Sequence, residues 1–164
     1  GQGSGFASPV RGFWPGNANY TALIQFVNIA STGDAVNFGD NTYGGSYNCG
    51  NSNSVRGSIA GGYQFPGSSV ENEKSYIIMA STGMAYEFGD LSSPKVGYCY
   101  SASNHTRGFV AGGLIDPNSP NASRSTIDSF LFESKGEIVS WGDLNEGKRD
   151  GGSTTDCHGG LGGF

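Results

Sequence analysis

Residues 29–40 read Ile29-Ala-Ser-Thr-Gly-Asp-Ala-Val-Asn-Phe-Gly-Asp40, and this pattern returns twice further along the chain. The second copy is Met79-Ala-Ser-Thr-Gly-Met-Ala-Tyr-Glu-Phe-Gly-Asp90, and a weaker third copy is Phe132-Glu-Ser-Lys-Gly-Glu-Ile-Val-Ser-Trp-Gly-Asp143. In each copy a glycine lies five positions before the aromatic residue of an aromatic-Gly-Asp triplet. The chain is therefore an internal repeat, and the repeat has to be identified before any other feature of the fold.

A second motif alternates with the first and begins with Arg-Gly or His-Gly. Its copies are Arg11-Gly-Phe-Trp-Pro-Gly16, Arg56-Gly-Ser-Ile-Ala-Gly61, Arg107-Gly-Phe-Val-Ala-Gly112 and His158-Gly-Gly-Leu-Gly-Gly163, and their last glycines are 45, 51 and 51 residues apart. This spacing predicts one repeat domain with units at approximately residues 11–56, 57–107 and 108–158. Residues 1–10 and 159–164 are expected to complete a sheet or to form a subunit contact.

Each unit is predicted to contain four short strands. In the middle unit they cover residues 57–61, 76–80, 85–88 and 96–101, separated by clusters of Gly, Pro, Ser and Asn that indicate turns. The Ser-Thr-Gly between the second and third strands supplies the glycine of a tight hairpin. Apolar runs such as residues 76–80 alternate little, which is typical of strands covered on both faces. We therefore predict an all-β protein with a four-stranded antiparallel sheet in each repeat.

The composition supports this fold class. Among 164 residues, 29 are Gly and only 14% are charged, which disfavours a helical bundle because helices are weakened by glycine and need charged surfaces. The aromatic content of 12% disfavours disorder.

Charge and motif content exclude several function classes. A net charge of −5 leaves no basic surface for nucleic acid or for an anionic membrane, and no apolar run reaches the roughly 20 residues that cross a bilayer. His105 and His158 lie in no recognisable nucleophile motif, so we predict neither an enzyme nor a cofactor. The spacing of Cys49, Cys99 and Cys157 does not favour a zinc site and leaves open whether any two form a disulfide.

The predicted units resemble known repeats. A four-stranded sheet recurring about every 50 residues looks like a kelch-type blade of a β-propeller, and the best example is Arg107-Gly-Phe-Val-Ala-Gly-Gly113 followed by residues 127–141. The combination of Ala-Ser-Thr-Gly, Phe-Gly-Asp, Arg-Gly and Gly-Gly resembles the tail-fibre-type repeats of environmental bacteriophage virion proteins. This resemblance implies a structural and adhesive role outside the cell or on the virion surface.

The number of units departs from the propeller pattern, which has about four to eight blades. Other copies of the chain could complete the ring, further residues could add blades, or the units could pack as a three-sided β-prism. Completion by other copies predicts closed rings or open filaments. We therefore expect a self-assembling subunit of a fibre, filament or virion appendage, and the alternative is a lectin-like module that binds surface glycans.

Repeated residues are expected to be structural, because a catalytic residue would normally occur once. They comprise three aspartates, two arginines and three aromatic residues: Asp40, Asp90, Asp143, Arg56, Arg107, Phe38, Phe88 and Trp141. The aspartates could bind calcium, but a hydrogen bond to their own turn is the simpler interpretation. The arginines could pair with these carboxylates between units or hold an acidic ligand. The aromatic residues could stack on sugars, although packing between sheets is commoner.

Features outside the repeat are the better ligand candidates. Tyrosine and tryptophan on small-residue loops supply rigid contact area for glycans or proteins, and the candidates are Trp14, Tyr43, Tyr47, Tyr98 and Tyr100. The alternative is that these side chains cover apolar edges at subunit contacts. Three sequons, at Asn19, Asn104 and Asn121, are possible glycosylation sites.

Overall fold

The computed structural model describes residues 4–16, 19, 21–64, 69–94, 97–116, 122–134 and 138–156. These residues contain no helix, and their strands form three separate sheets. The predicted all-β fold, with a four-stranded antiparallel sheet in each repeat, is therefore confirmed.

The first four strands of each sheet form an antiparallel meander in which they lie side by side in sequence order. Sheet A contains β1 (Phe6–Ala7), β2 (Arg11–Pro15), β3 (Leu23–Asn28) and β4 (Val36–Asp40). Sheet B contains β5 (Cys49–Ser52), β6 (Arg56–Gln64), β7 (Ser69–Ile78) and β8 (Tyr86–Asp90). Sheet C contains β9 (Cys99–Ser103), β10 (Arg107–Gly112), β11 (Thr126–Leu131) and β12 (Ile138–Asp143), and a fifth strand, β13 (Ser153–Thr155), lies beside β9.

The sheets are offset from the sequence units by one strand. Each Arg-Gly strand is second in its sheet, and the stretch predicted at residues 96–101 belongs to the first strand of sheet C. A polar turn holds the first two strands of a sheet together. In sheet B, Asn53 Oδ1 accepts hydrogen bonds of 2.8 and 2.7 Å from the backbone amides of Val55 and Arg56. This turn depends on an asparagine side chain. The glycine motifs in the sequence therefore did not indicate the strand with which each sheet begins.

The aromatic-Gly-Asp motif forms a β-bulge in every sheet. The pairing of the third and fourth strands shifts between Ile24 and Gln25, and again at the two equivalent positions in sheets B and C. The motif glycine opposite the shift has φ of 148° in sheet A, 98° in sheet B and 150° in sheet C. Only glycine adopts these angles without strain, which explains why the repeat retains it.

Two apolar layers separate the three sheets. We call the face of each sheet that carries the arginine of its second strand the front face, and the opposite face the back face. The front face of sheet A packs on the back face of sheet B, and the front face of sheet B packs on the back face of sheet C. The Phe13 and Phe38 rings, with centroids 5.3 Å apart, lie in the first layer, and the Phe88 and Phe130 rings, 5.8 Å apart, meet in the second.

The strand β13 is the first strand of a fourth unit. It pairs with β9 in parallel, and Ser153 lies opposite Ser101 and Thr155 opposite Ser103. Thr155 Oγ1 also donates a 3.2 Å hydrogen bond to the carbonyl of Ser52 in sheet B. Within the described residues, β13 has no further strand of its own unit beside it.

Candidate interaction surfaces

Arginine side chains join each sheet to the next. Arg11 Nη1 of sheet A donates hydrogen bonds of 2.9 and 3.1 Å to the carbonyls of Met79 and Ala80 in sheet B. Arg56 Nη1 of sheet B donates in the same way to the carbonyl of Phe132 in sheet C. The guanidinium of Arg56 thus binds a backbone carbonyl at the turn of the neighbouring sheet.

Arg107 is the equivalent residue in sheet C, and it binds within its own sheet. Its Nη1 atom donates a 2.9 Å hydrogen bond to Ser129 Oγ, and its guanidinium lies 4.9 Å from the centroid of the Trp141 ring. No fourth sheet follows sheet C in the described part of the chain. The front face of sheet C therefore carries the linking arginine without a neighbouring sheet.

The front face of sheet C is apolar, and in the part of the chain that the structure describes no sheet covers it. Phe38 and Phe88 are 3% and 1% exposed, whereas Trp141, at the same repeat position, is 57% exposed. Its ring contacts Phe109, with centroids 5.5 Å apart, and Val139 is also exposed. Trp141 was predicted to pack between sheets like the two phenylalanines, and among the described residues no sheet covers it.

The back face of sheet A is the second uncovered surface. Ile59 and Val110 are 0% and 1% exposed on the back faces of sheets B and C, and their equivalent Trp14 is 50% exposed. The same contrast holds at the turn after the third strand, where Met79 and Phe132 are each 1% exposed and Ile29 is 57% exposed. The back face of sheet A is therefore exposed, whereas the back faces of sheets B and C are buried against the preceding sheet.

A groove of about 340 Å³ opens between β1, β2, β5 and β13. Trp14, Phe6 and Asn51 are among its lining residues. Asn51 Nδ2 donates a 3.1 Å hydrogen bond to the carbonyl of Phe109, whereas within the described residues the buried Asn51 Oδ1 accepts no hydrogen bond. The groove thus presents an exposed indole, whereas the unpaired Asn51 Oδ1 atom is buried away from solvent.

The candidate tyrosines do not share one surface. Tyr43 is buried, its hydroxyl donates to the carbonyl of Gly61, and burial raises the pKa of this phenol far above its ordinary value. Tyr47 and Tyr98 stack on one another, with ring centroids 4.9 Å apart. Tyr100 is partly exposed, and its hydroxyl donates a 3.1 Å hydrogen bond to the carbonyl of Arg149. Tyr43 is therefore an interior residue, whereas Tyr47 precedes sheet B, Tyr98 precedes sheet C and Tyr100 lies in β9.

The repeated aspartates end the fourth strands and are not brought together. Asp143 Oδ1 accepts a 3.0 Å hydrogen bond from Ser125, and the backbone carbonyl of Asp40 accepts one of 2.8 Å from the amide of Ala85. Asp90 ends β8 in the same way. Among the residues that the structure describes, no group of three or more His, Cys, Asp or Glu side chains could hold a metal ion.

The sequons occupy different environments. Asn104 is exposed, but its Oδ1 accepts hydrogen bonds from the backbone amides of Thr106 and Arg107 at 3.0 and 2.8 Å, as Asn53 does in sheet B. Asn19 is exposed, and Asn121 lies outside the described residues, as do Cys157 and His158. The Asn104 side chain thus already forms a turn of the fold.

Lys74 is a buried residue that the sequence analysis missed. It is 1% exposed, and its Nζ atom lies 3.4 Å from the ring centroid of Phe88 and 3.5 Å from that of Phe130. Burial lowers the pKa of Lys74 to about 6. The sequence contained one indication that Lys74 is buried, which is its position in the repeat. Lys74 occupies the position at which sheets A and C have Ile24 and Ile127.

Comparison with known proteins gives a likeness of fold. No protein-family model matches the chain, and no curated protein matches it. A solved structure described as "Structure of YjhT" superposes with a TM-score of 0.70 over 88% of this chain and 52% of that one, at 8% sequence identity. The chain thus spans about half the length of that structure. No helix in the described part of the chain is long and apolar enough to cross a membrane.

Proposed function

We propose that the chain is a non-enzymatic, self-assembling structural subunit of an extracellular fibre, filament or virion appendage. The observation that carries this proposal is the pair of uncovered faces. The front face of sheet C and the back face of sheet A expose Trp141 and Ile29, whose repeat equivalents are buried between sheets.

Covering these faces would stabilise an assembly. Full burial of a large apolar side chain contributes about 1.5–3 kcal/mol, and Trp14, Ile29 and Trp141 are each at least half exposed. Soluble monomers rarely expose large apolar patches, and such patches commonly mark protein–protein contacts. Contact with further sheets of the same kind would use a packing mode that the chain already contains twice.

The proposed location rests on the resemblance of the repeats to tail-fibre-type virion proteins. A net charge of −5 and a fold of tandem sheets are compatible with a particle-surface role. Nothing in this proposal requires a cofactor, because assembly needs only the apolar faces and the linking arginine.

Self-association is tested by sedimentation velocity across a hundredfold range of concentration. We expect the average mass to rise above 17.0 kDa as the concentration increases, and charged substitutions on either uncovered face to abolish that rise. A chain that stays at 17.0 kDa throughout this range would contradict the proposal.

A second candidate function, glycan binding, is favoured by the groove beside Trp14. An exposed indole stacks well on sugar faces, and Trp14, which lines this groove, is 50% exposed. The test is a glycan array with the wild type, Trp14→Ala, and Tyr100→Ala as a control outside the groove. Binding that survives Trp14→Ala would rule out this groove as the site.

A further inference from the structure

We propose that two copies of this chain close into one ring of six sheets, in which the front face of sheet C of each copy packs on the back face of sheet A of the other. In this ring Arg107 Nη1 donates a hydrogen bond to the carbonyl of Ile29 in the second copy. The inference rests on the proposed self-assembly and specifies its partner, its register and its end point.

The register follows from the two links inside the chain. Arg11 donates to the carbonyl of Met79, and Arg56 donates to the carbonyl of Phe132. Met79 and Phe132 occupy one repeat position, directly after the third strand of their sheets, and Ile29 is the residue at that position in sheet A. Within the described residues, the acceptor that matches the third arginine, Arg107, is the carbonyl of Ile29, which a second copy of sheet A supplies.

The two uncovered faces match as a front face and a back face. Every sheet contact inside the chain joins these two types, sheet A to sheet B and sheet B to sheet C. A front-to-front contact would bring two arginine faces together and would leave the turn carbonyls without donors. Front-to-back docking repeats an existing interface, with Trp141 in the place of Phe38 and Ile29 in the place of Met79.

The number of sheets in the described residues favours a ring of two copies. Rings of such blades contain about four to eight of them, and the described residues of each copy supply three. One copy is too few, two copies give six sheets, and three copies give nine, which exceeds the range.

The first test is the mass of the assembly by sedimentation equilibrium. We expect a single species of twice 17.0 kDa that does not grow further as concentration rises. Masses that continue to increase would support self-assembly but overturn the closed ring, because an open filament has no final size. A species of 17.0 kDa at all concentrations would overturn both the ring and the proposed function.

Front-to-back contact is tested with one charged variant on each face. Ile29→Glu and Trp141→Glu are both at exposed positions, so each variant should fold while its own dimer weakens about tenfold or more. Mixing the two variants should restore association, because one retains an intact sheet C face and the other an intact sheet A face. Met84→Glu is the control, since Met84 is exposed on sheet B, which has a neighbour on both faces. Failure of the mixture to associate, or an equal loss with Met84→Glu, would overturn front-to-back docking.

The register is tested with an engineered disulfide. Inside the chain, the amide of Ala85 donates a 2.8 Å hydrogen bond to the carbonyl of Asp40, which brings the two backbones close together. The equivalent pair across the ring is Asp143 of one copy and Ala35 of the other. The double variant Asp143→Cys with Ala35→Cys should form a covalent dimer on oxidation, and each single variant controls for the native thiols. A non-covalent dimer in which the double variant cross-links no more than the single variants would overturn this register.

Discussion

The Nζ atom of Lys74 in sheet B lies 3.5 Å from the ring centroid of Phe130 in sheet C, so a lysine ends in the apolar layer between two sheets. The Phe88 ring of sheet B contacts the same atom from 3.4 Å. The ring faces attract an ammonium group and oppose the loss of its proton, but burial dominates and lowers the pKa to about 6.

Replacing Lys74 should change how stability depends on pH. Burial lowers its pKa from 10.5 to about 6, so between these pH values the unfolded chain binds a proton that the folded chain has released. The free energy of unfolding should therefore rise with pH across this window, and Lys74→Ile should remove that rise. Urea unfolding from pH 6 to pH 10 measures the slope, with Lys148→Met as a control at an exposed lysine. An unchanged slope in Lys74→Ile would show that the amine is charged in the folded state.

The link between Arg56 and the carbonyl of Phe132 should contribute measurably to stability. A hydrogen bond from a charged donor is worth about 1.5–3 kcal/mol, so Arg56→Ala should lower the free energy of unfolding by about that amount. Arg107→Ala is the matched control, since Arg107 bonds within its own sheet and is expected to cost less when the chain is dilute. Denaturant unfolding at low concentration makes this comparison, and equal losses would contradict the role assigned to the link.

Glycine at position 97 should be indispensable for the approach of sheet C to sheet B. Its φ is +54°, and a Cβ atom there would lie 1.3 Å from the carbonyl oxygen of Tyr47. Gly97→Ala should therefore destabilise the fold by more than about 3 kcal/mol, as overpacking and backbone strain add. Gly152→Ala is the control, because a Cβ atom there meets nothing within 4 Å. Similar melting temperatures for the two variants would refute this expectation.

Stacking of Tyr47 on Tyr98 should appear as a coupling energy. The rings are 4.9 Å apart and inclined by 26°, and aromatic pairs of this kind contribute about 0.5–1.5 kcal/mol beyond burial. A double-mutant cycle with Tyr47→Leu and Tyr98→Leu should return a value in that range. Strictly additive losses would show that the two rings stabilise the fold independently.

Much of the fold could be predicted because the same sequence motifs occur in three successive units. The turn glycines and the aromatic-Gly-Asp triplets identified the hairpin of each sheet, and the Arg-Gly motif identified the strand beside it. The first strands were harder to assign, since Cys49–Ser52 and Cys99–Ser103 share few residue types and are joined to the next strand by side-chain hydrogen bonds.

The sequence did not predict which side chains are exposed as well as it predicted the strands. Phe38 and Trp141 occupy the same repeat position, and only the presence or absence of a neighbouring sheet separates a buried ring from an exposed one. Tyr43 resembles a loop tyrosine in sequence, yet its hydroxyl finds a backbone carbonyl in the interior. Lys74 interrupts an otherwise apolar position, which is a signal that a comparison of all three copies could have revealed.

The parallel strand β13 covers the edge of β9 in sheet C. An open strand edge is a template on which other polypeptides can add and grow towards amyloid. Because Ser153–Thr155 already pairs with β9, the backbone groups on that side of the sheet are engaged by the molecule itself. Within the described residues β13 is itself the edge of sheet C, and with three residues it offers only a short template for another strand.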